Sequence, residues 1–153
     1  MKIKELQDVF NACLEDGIIR KKDHIDIELI KSLLDSAVKE LECAKEIDKK
    51  VKYHFILFNN RYDILRKLIS AFILFDKIKI ENHQCINAYL CSRHPGLEID
   101  WKILETIRII RNKINYEGKK IDKSSWNLHK LQFDIYIVLF VNEVKKKIAE
   151  QKL

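Results

Sequence analysis

From Phe55 to Phe72 the large apolar residues return in steps of three and four: Phe55, Phe58, Tyr62, Leu65, Ile69 and Phe72. A strand alternates faces at every second position, whereas a helix brings residues three and four apart onto one side. This stripe therefore predicts a long helix with a coiled-coil-like seam. Whatever surrounds it must pack helix on helix, because the remaining chain is poor in turn formers. Only three glycines and one proline occur in 153 residues. Strand-rich folds need many tight turns built on those residue types. An all-α, up-and-down antiparallel bundle of about five to six helices follows.

The same spacing divides the rest of the chain. Ile3, Leu6, Phe10 and Cys13 mark a first helix over residues 1–16, stopped by Gly17. After the charged patch RKKDH, Asp23 or Asp26 is suited to cap a second helix from about Ile27 into the late forties, with Ile30, Leu34, Ala37 and Leu41 inward. Lys49 to Lys52 form a polar joint before the Phe55 stripe. The stretch FDKIKIEN ends that stripe, and Asn82 can cap the short helix HQCINAYLCSR. RHPG breaks the chain, Asp100 caps a fifth helix along Ile103, Ile107, Ile110 and Ile114, and Gly118 ends it. The basic loop KKIDK leads to Ser124 or Ser125 and a long last helix. With no internal repeat or low-complexity linker, residues 1–153 read as one domain.

That last helix is apolar on two sides. Leu128, Leu131, Ile135, Val138 and Leu139 form one stripe; Phe133, Ile137, Phe140, Val144 and Ile148 form another on nearly the opposite side. Such a helix is either central to its own bundle or buried against a second molecule. We expect one stripe in the core and the other in a homodimer, with full burial within one chain as the alternative. Phe140→Asp is expected to break such an assembly.

A net charge of +6 favours an anionic partner such as RNA. Cys13, Cys43, Cys85 and Cys91 show no CxxC pair, and no secretory leader is expected. A cytoplasmic protein with unpaired thiols is expected. The cysteine and histidine spacings suggest no metal site and nothing suggests a cofactor. No apolar run has the length to span a bilayer, so no membrane partner is expected.

The chemistry concentrates in RIIRNKINYEG, from Arg108 to Gly118. Arg108, Arg111, Asn112 and Asn115 fall within roughly a 100° arc of the fifth helix, beside the isoleucine seam. Two guanidiniums and two amides on one strip suit phosphate, because a planar guanidinium can bond two oxygens at once. Spacing alone favours a solvated polar face. Lys113, Lys119, Lys120 and Lys123 surround the strip and add salt-dependent affinity for any polyphosphate chain.

RNKINYEG resembles the signature segment of the HEPN superfamily (higher eukaryotes and prokaryotes nucleotide-binding): an arginine, usually followed by Asn or another polar residue, with a histidine four to six residues on. The upstream helix is similar too. Tyr62, Asp63, Leu65, Arg66 and Ala71 echo its YDxLR…A core, and His83 echoes a residue at the start of the following helix. The resemblance covers about residues 50–145 and leaves the N-terminal helices, residues 1–48, packed on that core. It implies RNA or nucleotide binding by a homodimer, a metal-independent endoribonuclease activity of toxin–antitoxin type, and a small nucleotidyltransferase as antitoxin. It also implies roles. Arg111 would stabilise charge on the scissile phosphate, Asn112 would hold the local geometry, and a histidine would move the proton. Arg108, Lys113, Asn115, Lys119 and Lys120 are the expected nucleic-acid contacts.

The histidine slot of the signature holds Tyr116. A phenol titrates near pH ~10, so at neutral pH it is a poor general base. It can still donate a hydrogen bond to a phosphate oxygen or stack on a base. His83 is the histidine best placed in sequence to approach the cleft, whereas His54, His94 and His129 read as packed or surface residues. The resemblance therefore implies a nuclease centre that is weakened or absent. The alternative is a non-catalytic helical module that forms a homodimer or partners a nucleotidyltransferase.

Overall fold

Helices form where the apolar spacing predicts them, except that the first starts only at Leu6 and leaves Ile3 outside it. The computed structural model describes residues 2–151. Its elements are α1 (Leu6–Glu15), α2 (Ile27–Lys50), α3 (His54–Leu74), α4 (His83–Arg93), α5 (Trp101–Glu117) and α6 (Lys123–Gln151). The fold is an all-α bundle. Three of the predicted caps are in place. Asp26 accepts from the N–H of Leu29 at 3.0 Å, Asn82 from Cys85 at 2.9 Å, and Asp100 from Lys102 at 2.8 Å. Gly118 ends α5 with φ 65°, a backbone that favours a residue without Cβ. At the start of α6 the cap is Asp122, which accepts from Ser125 at 2.7 Å, rather than either serine.

α3 is the centre, packed against α2, α4, α5 and α6. Its buried face continues into that of α6 through edge-to-face ring pairs, Phe58 with Phe133 at 5.1 Å and Phe72 with Phe140 at 5.5 Å. Phe58, Phe72, Phe133 and Phe140 are all fully enclosed, and each contributes about 1.5–3 kcal/mol by leaving water. Ion pairs fix α2 antiparallel to α3: Asp48 meets Arg61 and Glu40 meets Lys67. The alternation of up and down is not complete. Tyr62 touches His83 at the start of α4 and Asp76 accepts from Tyr89 further along, so α4 lies in the same direction as α3. The ring pairs order α6 that way as well.

Two local expectations are corrected. The RKKDH patch and the middle of FDKIKIEN meet in a two-residue antiparallel pairing, β1 (Arg20–Lys21) with β2 (Ile78–Lys79). Lys77, at φ 58°, makes the turn into it. The second correction concerns the thiols. Cys13 and Cys85 form a disulfide joining α1 to α4 across 72 positions, whereas Cys43 and Cys91 are free. Spacing could not reveal it, because the partners meet only when α1 docks on α4.

The two sides of α6 are also resolved. Phe133, Ile137, Phe140 and Val144 lie in the core, which excludes Phe140 as an interface residue. Leu128, Leu131, Ile135 and Val138 remain more than half exposed. The alternative of full burial within one chain therefore fails. The ring-bearing side is enclosed because aromatic rings remove more apolar area from water than branched aliphatic chains do.

Candidate functional site

α3 and α5 run antiparallel, and each presents a polar strip to the other. On α3 the strip is Asn59, Tyr62 and Arg66; on α5 it is Asn115, Arg111 and Arg108. At one end Asn59 donates to Asn115 at 2.9 Å. In the middle the Arg111 guanidinium lies over the Tyr62 ring, 5.5 Å from its centroid. At the other end the first turn of α4 closes the cluster, and Nδ1 of His83 meets the Tyr62 hydroxyl at 3.2 Å.

Beneath this end lies a carboxylate. Glu105 is 1% exposed and accepts from Gln84 at 2.9 Å, Asn87 at 3.0 Å and the fork of Arg108 at 2.9 and 2.8 Å. Four donors saturate its two oxygens, which is what a buried carboxylate requires. Arg108 thereby acts as a support for α4 and α5, with most of its donors committed. Arg66 and Arg111 differ: among the described residues neither has a carboxylate within ion-pair distance. Both are half-buried, and Nε of Arg66 is enclosed with no hydrogen-bond partner among them. Around Tyr62 and His83 the charges of three guanidiniums are opposed by those of Glu105 and Asp63.

The local field follows. Burial pushes the His83 imidazole below its ordinary range, and the charges of Arg66, Arg111 and Arg108 lower it further while Asp63 opposes them. Burial pushes the Tyr62 phenol up to about 12, against the pull of Arg111, Arg108 and Arg66. At neutral pH the site holds a neutral imidazole and a protonated phenol inside a positive field. An arrangement of this kind can hold an anion, and Nε2 of His83 is the nitrogen not engaged by Tyr62.

A cavity of about 20 Å³ lies under these groups, between Tyr62, Arg66, His83 and Asn87 and the apolar side chains of Leu65, Ile69 and Ile107. That is room for about one water.

The remaining residues of the signature are placed as follows. Asn112 and Lys113 are half-buried; Asn115, Lys119 and Lys120 are exposed. Tyr116 is 79% exposed and lies about 140° around α5 from Arg111, so it does not join the Tyr62–His83 cluster. Two of the other histidines, His94 and His129, have structural partners. His94 meets Asp76 at 2.6 Å, and His129 packs edge-on to Phe58 at 5.6 Å. Glu105 escaped the sequence reading, although its spacing of three from Arg108 on one helix was a usable signal.

Among the described residues no group of three or more His, Cys, Asp or Glu side chains is placed to hold a metal ion, and no helix is long and apolar enough to cross a membrane. Compared with protein-family models, curated proteins and solved structures, the chain matches none.

Proposed function

We propose that this is a HEPN-like RNA- or nucleotide-binding domain whose phosphate grip is made by Arg111 and Arg66. One observation supports this above the rest: two half-buried guanidiniums, without carboxylate partners among the described residues, lie close enough to a neutral imidazole for their charges to act on it. Desolvated cations left without counter-charge are costly to a fold, and an incoming phosphate supplies that charge. The resemblance of RNKINYEG to the HEPN signature points the same way.

The associated activity is a weak, metal-independent RNA cleavage. His83 replaces the signature histidine as proton carrier, from α4 instead of from α5. The ribose 2′-oxygen gives its proton to Nε2 of His83 and attacks phosphorus. The P–O5′ bond breaks, and the leaving oxygen takes a proton from water. Arg111 and Arg66 offset the charge that gathers on the phosphate oxygens. The experiment is incubation of the purified protein with structured RNA in EDTA. Cleavage that is lost in Arg111→Ala and in His83→Gln supports the enzyme reading. RNA bound without cleavage at any protein concentration rejects the enzyme and retains the binding domain.

The exposed side of α6 favours a second reading, a non-catalytic module that pairs with a copy of itself or with a nucleotidyltransferase. Leu128, Leu131, Ile135 and Val138 repeat at coiled-coil spacing. Leu131→Asp, on the surface, separates such an assembly on sizing, and an unchanged elution volume rejects the homodimer.

A further inference from the structure

The end of the bundle away from Glu105 carries a feature that the phosphate grip does not use. Among the described residues Tyr53, 55% exposed, and Tyr116, 79% exposed, are the two exposed phenylalanine, tyrosine or tryptophan rings. Both lie at this one end. Tyr53 is the residue before α3, and Tyr116 is in the last turn of α5, next to the Asn59–Asn115 bond that joins those two termini. A surface groove of about 320 Å³ runs here, with Lys52, Tyr53, His54 and Phe55 on one side and Lys120 and Ile121 on the other. That is within the usual size of a small-ligand site. The Lys52 ammonium lies 5.5 Å from the Tyr53 ring and steadies it.

Charge gathers at the same end. Lys50, Lys52, Lys119, Lys120 and Lys123 have no carboxylate within ion-pair distance among the described residues. Nearby acids are mostly engaged: Glu46 pairs with Lys49 at 3.6 Å, Asp48 with Arg61, and Asp122 caps α6. Glu117 is the exposed exception. Aromatic faces in water among unpaired ammonium groups suit unpaired bases joined by phosphates. A duplex offers the phosphates and hides the base faces.

We infer that this end of the bundle is a platform for single-stranded RNA, on which Tyr53 and Tyr116 stack bases while the surrounding lysines hold the backbone. It rests on the RNA reading above and extends it, for Asn115 lies only about 6 Å along α5 from Arg111. A strand lying on the platform reaches the phosphate grip.

The test is fluorescence anisotropy with a labelled single-stranded oligouridylate and, separately, an RNA duplex of equal length, at one fixed salt concentration. The double variant Tyr53→Ala/Tyr116→Ala, which alters only exposed side chains, is expected to bind the single strand at least about fivefold more weakly. Its duplex affinity stays as in the wild type, and Tyr53→Phe/Tyr116→Phe keeps the single-strand affinity. If the double alanine variant binds the single strand as the wild type does while Arg111→Ala does not, the platform is wrong and the phosphate grip stands. If the wild type binds neither RNA, both are wrong.

Discussion

The Arg111 guanidinium stacks on the Tyr62 ring at 5.5 Å and has no carboxylate partner among the described residues. One turn earlier on the same helix, Arg108 is bound at both ends of its fork to the buried Glu105. Two arginines three positions apart therefore do different work.

Arg111→Ala is expected to weaken RNA binding by tenfold or more while costing only about 1–2 kcal/mol of stability, the scale of a half-buried cation–π contact. Arg108→Ala is expected to do the reverse, costing about 3–5 kcal/mol because it leaves Glu105 buried and unpaired. Urea unfolding and a binding titration on both variants check the contrast. Equal effects of the two variants on RNA affinity would contradict the division of roles.

His83 gives the fold a pH dependence whose sign is fixed. Its folded-state pKa lies below the ordinary 6.5, so the unfolded chain takes up the proton more readily. Its contribution to stability is present above pH about 6.5 and is lost as pH falls from there through the folded value. His83→Gln keeps a partner for the Tyr62 hydroxyl and removes the titration. The difference in urea midpoint between wild type and variant should shift in favour of the variant between pH 7 and 5, on the scale set by ordinary histidine titration. A constant difference across that interval rejects the placement of His83 beside the arginines.

The Cys13–Cys85 bond ties α1 to α4 close to His83. Its loss, by reduction or in Cys13→Ser, is expected to cost about 2–4 kcal/mol, read as a lower Tm. Alkylation of the denatured, unreduced protein should label two thiols, Cys43 and Cys91. Labelling of all four would mean that the bridge is absent.

On α6, Leu131→Asp changes a residue 60% exposed and Phe140→Asp one that is 0% exposed. The first should leave stability within about 0.5 kcal/mol and act only on association, whereas the second should unfold the domain. Circular dichroism and sizing separate the two outcomes. A folded Phe140→Asp protein would contradict the core described for α3 and α6.

Much of this fold is legible in the sequence because its determinants are local. The stripe from Phe55 to Phe72, the caps Asp26, Asn82 and Asp100, and the stop at Gly118 each act within a few residues of themselves. What depends on tertiary docking is not. The two apolar sides of α6 look alike until α3 presents Phe58 and Phe72 to one of them. Cys13 finds Cys85, and Arg20 finds Lys79, only after α1 and the β2 segment have been brought together. The site divides in the same way. The strip of Arg108, Arg111 and Asn115 follows from helical spacing, but Arg66 and His83 join it only because α3 lies antiparallel to α5 and α4 begins beside Tyr62. Tyr116 fills the histidine position of the signature by counting, yet the helical turn carries it away from the cluster.

The most direct measurement is the affinity of a labelled RNA oligonucleotide for the wild type and for Arg66→Ala/Arg111→Ala, at one salt concentration and in EDTA. If the pair is the phosphate grip, the wild type binds and the variant, still folded by circular dichroism, loses tenfold or more. A folded variant with wild-type affinity, or a wild type that does not bind, contradicts the account.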